Sequence, residues 1–253
     1  VRENSSSGNL IRRQALVQRV LRKRKKMVAY SMQRMIQGRP LMPDERSPKG
    51  EGKAYANRKR LGFRAVGDFY PTPRSLVWVM QEFIIDTFSK QQPILEPCSG
   101  RGAISEELES MGYRVICNDI STGGVDYLQN NFASKAVITN PPFSFWDLFV
   151  EKAKEHATQI MLIGRLNYFG TNSRFQSGIW ENLKSVHCFS RYVDYQTLPR
   201  KDGHFHVGAM ATAWFYWEAK FMGAPTIHVV DVQKYATLGG FSSYPIKEDR
   251  RID

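Results

Sequence analysis

Cysteine is scarce in this chain, and so are acidic residues near its start and long apolar runs. The three cysteines, Cys98, Cys117 and Cys188, are odd in number, far apart and form no C-x-x-C pair. That argues against a disulfide framework or a zinc ribbon and fits a reducing, cytoplasmic setting. No stretch approaches the ~18 apolar residues that cross a bilayer, so Trp78–Ile85 and Ala209–Trp217 are expected to be core and no membrane partner is expected. The opening Val-Arg-Glu carries no apolar secretory leader. His204 and His206 are close, but no Cys or acidic set stands at metal spacing around them, so a polar loop and no metal are expected. There is neither a G-x-G-x-x-G nor a G-K-[ST] element, which disfavours a standard dinucleotide site and a P-loop.

The positive charge is concentrated. Residues 1–60 hold 17 Lys+Arg against 4 Asp+Glu, whereas residues 61–253 hold 19 against 20. Residues 10–37 read as a helix, with Leu16, Val17, Val20, Leu21, Val28, Met32 and Met35 near helical spacing and Gly38 and Pro40 as a stop. Arg22, Lys23, Arg24, Lys25 and Lys26 interrupt it as an unbroken cationic run. Residues 39–60 read as a linker. Residues 1–60 are thus expected to form a basic helical arm and linker, and 61–253 a separate domain. The run suits phosphate contacts. A solvated tail, a membrane-surface helix and a protein-docking segment are the other readings.

Beyond residue 60 the pattern alternates. Helices are expected at Arg74–Phe88, Ile104–Met111 and Trp146–Ala157. Strands are expected at 93–96, Arg114–Asn118, Ala136–Thr139, Gln159–Ile163, Ser190–Val193, Thr212–Trp217 and Thr226–Val230. Alternation implies an α/β fold with parallel pairing, whose ligands sit at the carboxyl ends of the strands. Four loops occupy that place. Glu96-Pro-Cys-Ser-Gly-Arg-Gly102 can bring a ligand close to bare backbone. Asp119 closes the next strand at a distance that suits ribose hydroxyls. Asp126 sits in a Gly-Gly-Val-Asp turn and could accept from an adenine amine. Each also fits a structural role: a plain βα turn, a helix N-cap, a turn. Asn140-Pro-Pro-Phe143 is the most specific. Its prolines donate no N–H, its carbonyls are expected to be unpaired, and the Asn amide oxygen and an aromatic ring stand beside them. Such a loop can accept hydrogen bonds from an –NH2 group and stack a planar ring.

The ordered set Phe69-Tyr-Pro-Thr-Pro73, Glu96–Gly102, Asp119, Asp126 and Asn140–Phe143 resembles the S-adenosylmethionine-dependent amino-methyltransferases. Within them it is most similar to the small, phage-type N6-adenine DNA methyltransferases, in a γ-like motif order, over residues 68–218. The resemblance implies a Rossmann-like sheet flanked by helices, S-adenosylmethionine as cofactor and DNA as partner, the alternatives being RNA as substrate or a non-catalytic methyltransferase-like protein that binds nucleic acid. Tyr70, Thr72 and Pro73 would line the methionine end of the cofactor. Glu96, Pro97, Cys98, Ser99 and Gly100 would wrap its amino acid and sulfonium portion. Asp119 would bind the ribose, Ile120 would lie against the adenine, and Asp126 would accept from its amine. Asn140 and the Pro141 carbonyl would hold the target N6, with Pro142 stiffening the loop and Phe143 stacking on the base. Specificity would come from loops such as Asn167–Gln176 and Pro199–Gly208, or from the arm. A Cys-dependent cytosine-C5 reaction is disfavoured, because Cys98 belongs to the cofactor turn.

Overall fold

The structure, a computed structural model, describes residues 72–82, 87–190, 210–232 and 234. The chain divides into Val1–Phe69 and Tyr70–Asp253, and all described residues belong to the second unit. The expected arm, its boundary at residue 60, Arg22–Lys26, Tyr70, His204 and His206, and the Pro199–Gly208 loop therefore lie outside the described residues.

α1 (Arg74–Trp78) begins after Pro73, whose fixed φ of −60° suits a helix start. It tightens at once into a 3₁₀ turn, Val79–Glu82. The α-helix is thus shorter than the expected Arg74–Phe88, and the run Val77-Trp-Val79 holds only poor helix formers. β1 (Ile94–Glu96), α2 (Ala103–Ser110), β2 (Val115–Cys117), β3 (Ala136–Thr139), α3 (Trp146–Lys154) and β4 (Gln159–Arg165) follow. A 3₁₀ turn at Leu166–Gly170 leads into the short α4 (Asn172–Ser177). β5 (Leu183–Phe189), β6 (Thr212–Glu218) and β7 (Thr226–Val230) complete the described elements.

One seven-stranded sheet joins them in the order β2-β1-β3-β4-β6-β5-β7. β2, β1, β3 and β4 are parallel, as alternation predicts. The expected Rossmann-like α/β sheet with flanking helices is what the structure shows. One expectation is corrected. β6 runs antiparallel to both β4 and β5: an apolar run such as Thr212–Trp217 announces a strand without announcing its direction. The strand Leu183–Phe189 was not among those expected, and of the strand expected at Ser190–Val193 all but Ser190 lies outside the described residues. Polar residues hid β5: Ser185 and His187 are buried and meet through an Oγ···Nε2 contact of 2.9 Å.

Strand alternation divides the core. Ile94, Ile138, Met161, Ile163, Trp214 and Tyr216 pack with Leu76, Met80, Ile104 and Leu108. Beyond the opposite face, Trp146 of α3 meets Phe215 and Trp217 of β6 and Tyr168 at ring-centroid distances of 4.9–5.7 Å. The buried indoles have partners, since Trp214 Nε1 donates to Leu76 O (2.7 Å), Trp146 Nε1 to Ile163 O (2.9 Å) and Trp217 Nε1 to Ile179 O (3.0 Å). β1 pairs with β2 on one side and β3 on the other. The connections after β1 and β3 therefore part at the carboxyl end, the place where such sheets open a ligand crevice.

Candidate functional site

The loop after β1 turns sharply. Gly102 N donates to Ser99 O at 2.7 Å, and Gly100 and Gly102 take φ of 52° and 84°, a region costly for any residue with a Cβ. The turn is tied to the end of β2. Gly100 N donates to Asp119 Oδ2 at 2.8 Å across 19 residues, and Asp119 Oδ1 accepts from Ser121 N at 2.7 Å, capping the 3₁₀ turn Ile120–Thr122. Asp119 is therefore an N-cap as well as a carboxylate at the crevice. Beside it Ile120 is 64% and Val125 49% exposed, two apolar side chains held out at the strand end.

Asn118, which sequence reasoning passed over, clamps this region. Its Nδ2 donates to Val125 O (2.9 Å) and Pro97 O (3.4 Å), and its Oδ1 accepts from Val125 N (3.0 Å). The fit demands Gly124, where a Cβ would lie 2.7 Å from Asn118 Oδ1 and from Asp119 O. Asp126 follows in a turn that its own Oδ1 caps by accepting from Leu128 N (3.0 Å). The neighbouring Tyr127 is buried and stacks on Phe149. Its hydroxyl donates to His156 Nε2 (2.9 Å), because His156 Nδ1 must donate to Ser134 O (2.8 Å).

Glu96 and Cys98 are the electrostatically unusual members. Burial pushes the Glu96 carboxyl up to about 8, against the pull of hydrogen bonds from Ser105, and Asp119 adds to the rise. Glu96 Oε2 is buried with no hydrogen-bond partner. Burial, with the negative charges of Asp119 and Glu96, holds the Cys98 thiol well above its ordinary range. A thiol so placed stays protonated and is no nucleophile.

Across the crevice, Asn140 follows β3. Its Nδ2 donates to Thr72 Oγ1 at 3.1 Å, joining two motifs 68 residues apart. Pro141 is buried and Pro142 half-buried. The expectation of unpaired carbonyls holds for one residue. Pro142 O accepts from Phe145 N (2.9 Å) and Phe143 O from Tyr168 OH (3.1 Å), which leaves Pro141 O unused among the described residues. Phe143 is only 5% exposed and packs into the core. The Arg165 guanidinium lies 4.8 Å from its ring centroid, so in this state the ring is covered rather than offered to a base. Asn118 and Arg165 are residues that sequence reasoning missed, and Tyr168 was named only within the Asn167–Gln176 loop. Their only signal is position, a polar side chain at or just beyond the carboxyl end of a strand.

Thus Thr72 meets Asn140, Gly100 meets Asp119, and Glu96, Cys98 and Asp119 act on one another. A hollow lined by Gln92, Pro93, Ile116, Phe132 and Lys135 opens toward the other end of β1 and β3 and takes no part. Among the described residues, no helix is long and apolar enough to cross a membrane, and no group of His, Cys, Asp and Glu could hold a metal ion.

No protein-family model and no curated protein matches the sequence. Similar solved structures include a type I restriction-modification methyltransferase subunit from Streptococcus thermophilus, with 10% identity, a TM-score of 0.45, and coverage of 66% of this chain and 47% of that one. The M protein of the type I restriction enzyme EcoKI gives 13%, 0.45, 65% and 48%. A protein described as a candidate RNA methyltransferase from Pyrococcus horikoshii gives 16%, 0.38, 59% and 82%. The chain spans about half the length of the two type I subunits. At these identities and TM-scores the likeness carries no weight for substrate or reaction, which rest on the chain's own residues.

Proposed function

We propose that this chain transfers a methyl group from S-adenosylmethionine to the N6 amine of adenine in DNA. The observation that carries this reading is the hydrogen bond from Asn140 Nδ2 to Thr72 Oγ1. With the amide nitrogen engaged, Asn140 presents Oδ1 as its acceptor, and Pro141 O is the next acceptor along the chain. Two acceptors on consecutive residues suit the two protons of one –NH2 group.

The residues opposite fit the cofactor. A buried carboxyl oxygen with no partner, Glu96 Oε2, suits an ammonium, whose positive charge would favour loss of the carboxyl proton. The bare backbone at Gly100 and Gly102 allows close approach, and Asp119 stands where ribose hydroxyls would donate. Ile120 and Val125 supply apolar contact for a purine. Bound there, S-adenosylmethionine supplies a methyl already activated by a sulfonium.

The chain's task is then positional. The N6 lone pair is delocalised into the ring and is a weak nucleophile. Asn140 Oδ1 and Pro141 O would draw on its two protons, favour a pyramidal nitrogen and aim the lone pair. A base within a duplex is out of reach, so the target must be flipped or single-stranded. The resemblance favours DNA, and the cationic run Arg22–Lys26 suits a polyanion.

The test is methyl transfer from labelled S-adenosylmethionine to unmethylated DNA and to RNA in parallel, read by nucleoside mass spectrometry. N6-methyladenine in DNA alone is the expected result. Product in RNA alone would move the substrate and keep the Asn140 chemistry. No methylated nucleoside in either would remove the reading.

A further inference from the structure

Arg165 ends β4, the strand beside β3. The two strands are parallel, with Thr139 opposite Leu162, so Asn140 and Arg165 leave the sheet at the same end. Two other described cations near these loops have carboxylate partners: Arg174 pairs with Asp147 at 2.6 Å and Arg74 with Glu106 at 2.7 Å. Arg165 has no carboxylate and no side-chain hydrogen bond among the described residues. Its guanidinium rests on the Phe143 face, 4.8 Å from the ring centroid, and its Nε is buried with no acceptor. A guanidinium is a planar fork of donors that matches an oxyanion such as phosphate bidentately. A buried donor left unpaired is costly, which points to an acceptor supplied from outside the chain. The segment that follows exposes Phe169 (43%) and Phe175 (76%), aromatic faces of the kind on which single-stranded bases stack.

We propose that Arg165 binds the backbone phosphate next to the target adenine, exchanging the Phe143 face for that phosphate as the base enters. This assignment rests on the nucleic-acid methyl transfer argued above. It accounts for a ring that is covered at rest and free when a base must be stacked. It also places a cation within one side chain's reach of the Asn-Pro-Pro-Phe loop, where a phosphate fixes the register of the nucleotide that carries the amine.

The experiment uses the full chain and a single-stranded oligonucleotide containing an adenine that the wild-type protein methylates. Wild-type turnover on it tests the functional reading, and its absence would sink that reading rather than the role of Arg165. Given turnover, Arg165→Gln should raise KM for the oligonucleotide about tenfold to a hundredfold, the loss of a charged hydrogen-bonded contact. Its kcat should change by less than about threefold, and the salt slope of log affinity should shrink by about 0.7, the value of one phosphate on a single strand. Arg165→Lys should keep the slope and recover part of the KM. A methylphosphonate in place of the phosphate on either side of the adenine should weaken the wild type and leave Arg165→Gln unaffected at one of the two positions. That arm leaves the protein untouched, so a folding defect in a variant cannot imitate it.

Equal losses for wild type and Arg165→Gln at both methylphosphonate positions would overturn the proposal. So would a fall in kcat and thermal stability with an unchanged salt slope, which would make Arg165 a prop for Phe143. A weakened affinity of Arg165→Gln for S-adenosylmethionine alone, with oligonucleotide binding intact, would overturn it too and assign the guanidinium to the cofactor's carboxylate.

Discussion

Burial holds the Glu96 carboxyl protonated up to about pH 8, while the same group in the unfolded chain ionises near its ordinary value of 4.5. The folded state therefore binds the proton more tightly. The stabilisation is complete below about pH 4.5 and is lost as pH rises to about 8. Glu96→Gln should flatten the dependence of Tm on pH across this window and be the more stable form at its alkaline end. Parallel Tm profiles for the two proteins would show that Glu96 is not the titrating group. In the proposed reaction it is Asn140 that carries the chemistry. Asn140→Ala removes the paired acceptor and should lower methyl transfer by about 100-fold or more, while binding of S-adenosylmethionine, measured by calorimetry, stays within a few-fold. Retained turnover would remove Asn140 from the mechanism. Both residues are legible in the sequence as chemistry-bearing types at strand ends. The protonation of Glu96 is not, because it depends on which side chains close over it.

β4 and α3 illustrate how packing elements hold the site in place. Gly164 sits in the interior of β4, and a Cβ there would lie 2.7 Å from Trp146 Nε1 and 3.0 Å from Phe215 Cε2. Trp146 is fully buried and anchored to Ile163 O, so it has nowhere to yield. Gly164→Ala should cost about 1–3 kcal/mol by overpacking, visible as a lower urea midpoint with an unchanged m value. No loss would mean that Trp146 has room to shift. Trp146 starts α3 three residues after Phe143, so the same contact fixes how the Asn-Pro-Pro-Phe loop enters its helix. A glycine within an apolar strand signals that something approaches closely, without saying that the neighbour is a tryptophan 18 positions earlier. The apolar strands were readable from their runs, and Ala136–Thr139 and Thr226–Val230 match residue for residue. β5 carries little signal in the sequence because Ser185 and His187 face each other inside it, a pairing that local pattern cannot reveal.

Charge is divided unevenly along the chain, with 17 Lys+Arg against 4 Asp+Glu in residues 1–60 and near balance after them. If affinity for nucleic acid draws on Arg22–Lys26, replacing all five by Gln should reduce the salt slope by up to about 4. Binding of S-adenosylmethionine should not change, since the proposed site draws only on residues from Tyr70 onward. A slope that does not move would assign phosphate contact to the second unit alone, with Arg165 as its leading cation. Filter binding across a salt series separates these outcomes.

Composition and periodicity by themselves determined the α/β class, the concentration of positive charge in the first quarter, and the strand-end loops to which the chemistry is assigned. These follow from local sequence, because charge, strand alternation and proline or glycine turns act within a few residues of themselves. Tertiary structure alone decided the rest. It reversed β6 against its neighbours, joined Thr72 to Asn140 and Gly100 to Asp119, and made Asn118 a clamp. It also left the Pro141 carbonyl without a donor among the described residues and laid Arg165 over Phe143. Each of these is a meeting of side chains or backbone groups distant in sequence, set by how the sheet orders its strands, and no local rule encodes that order.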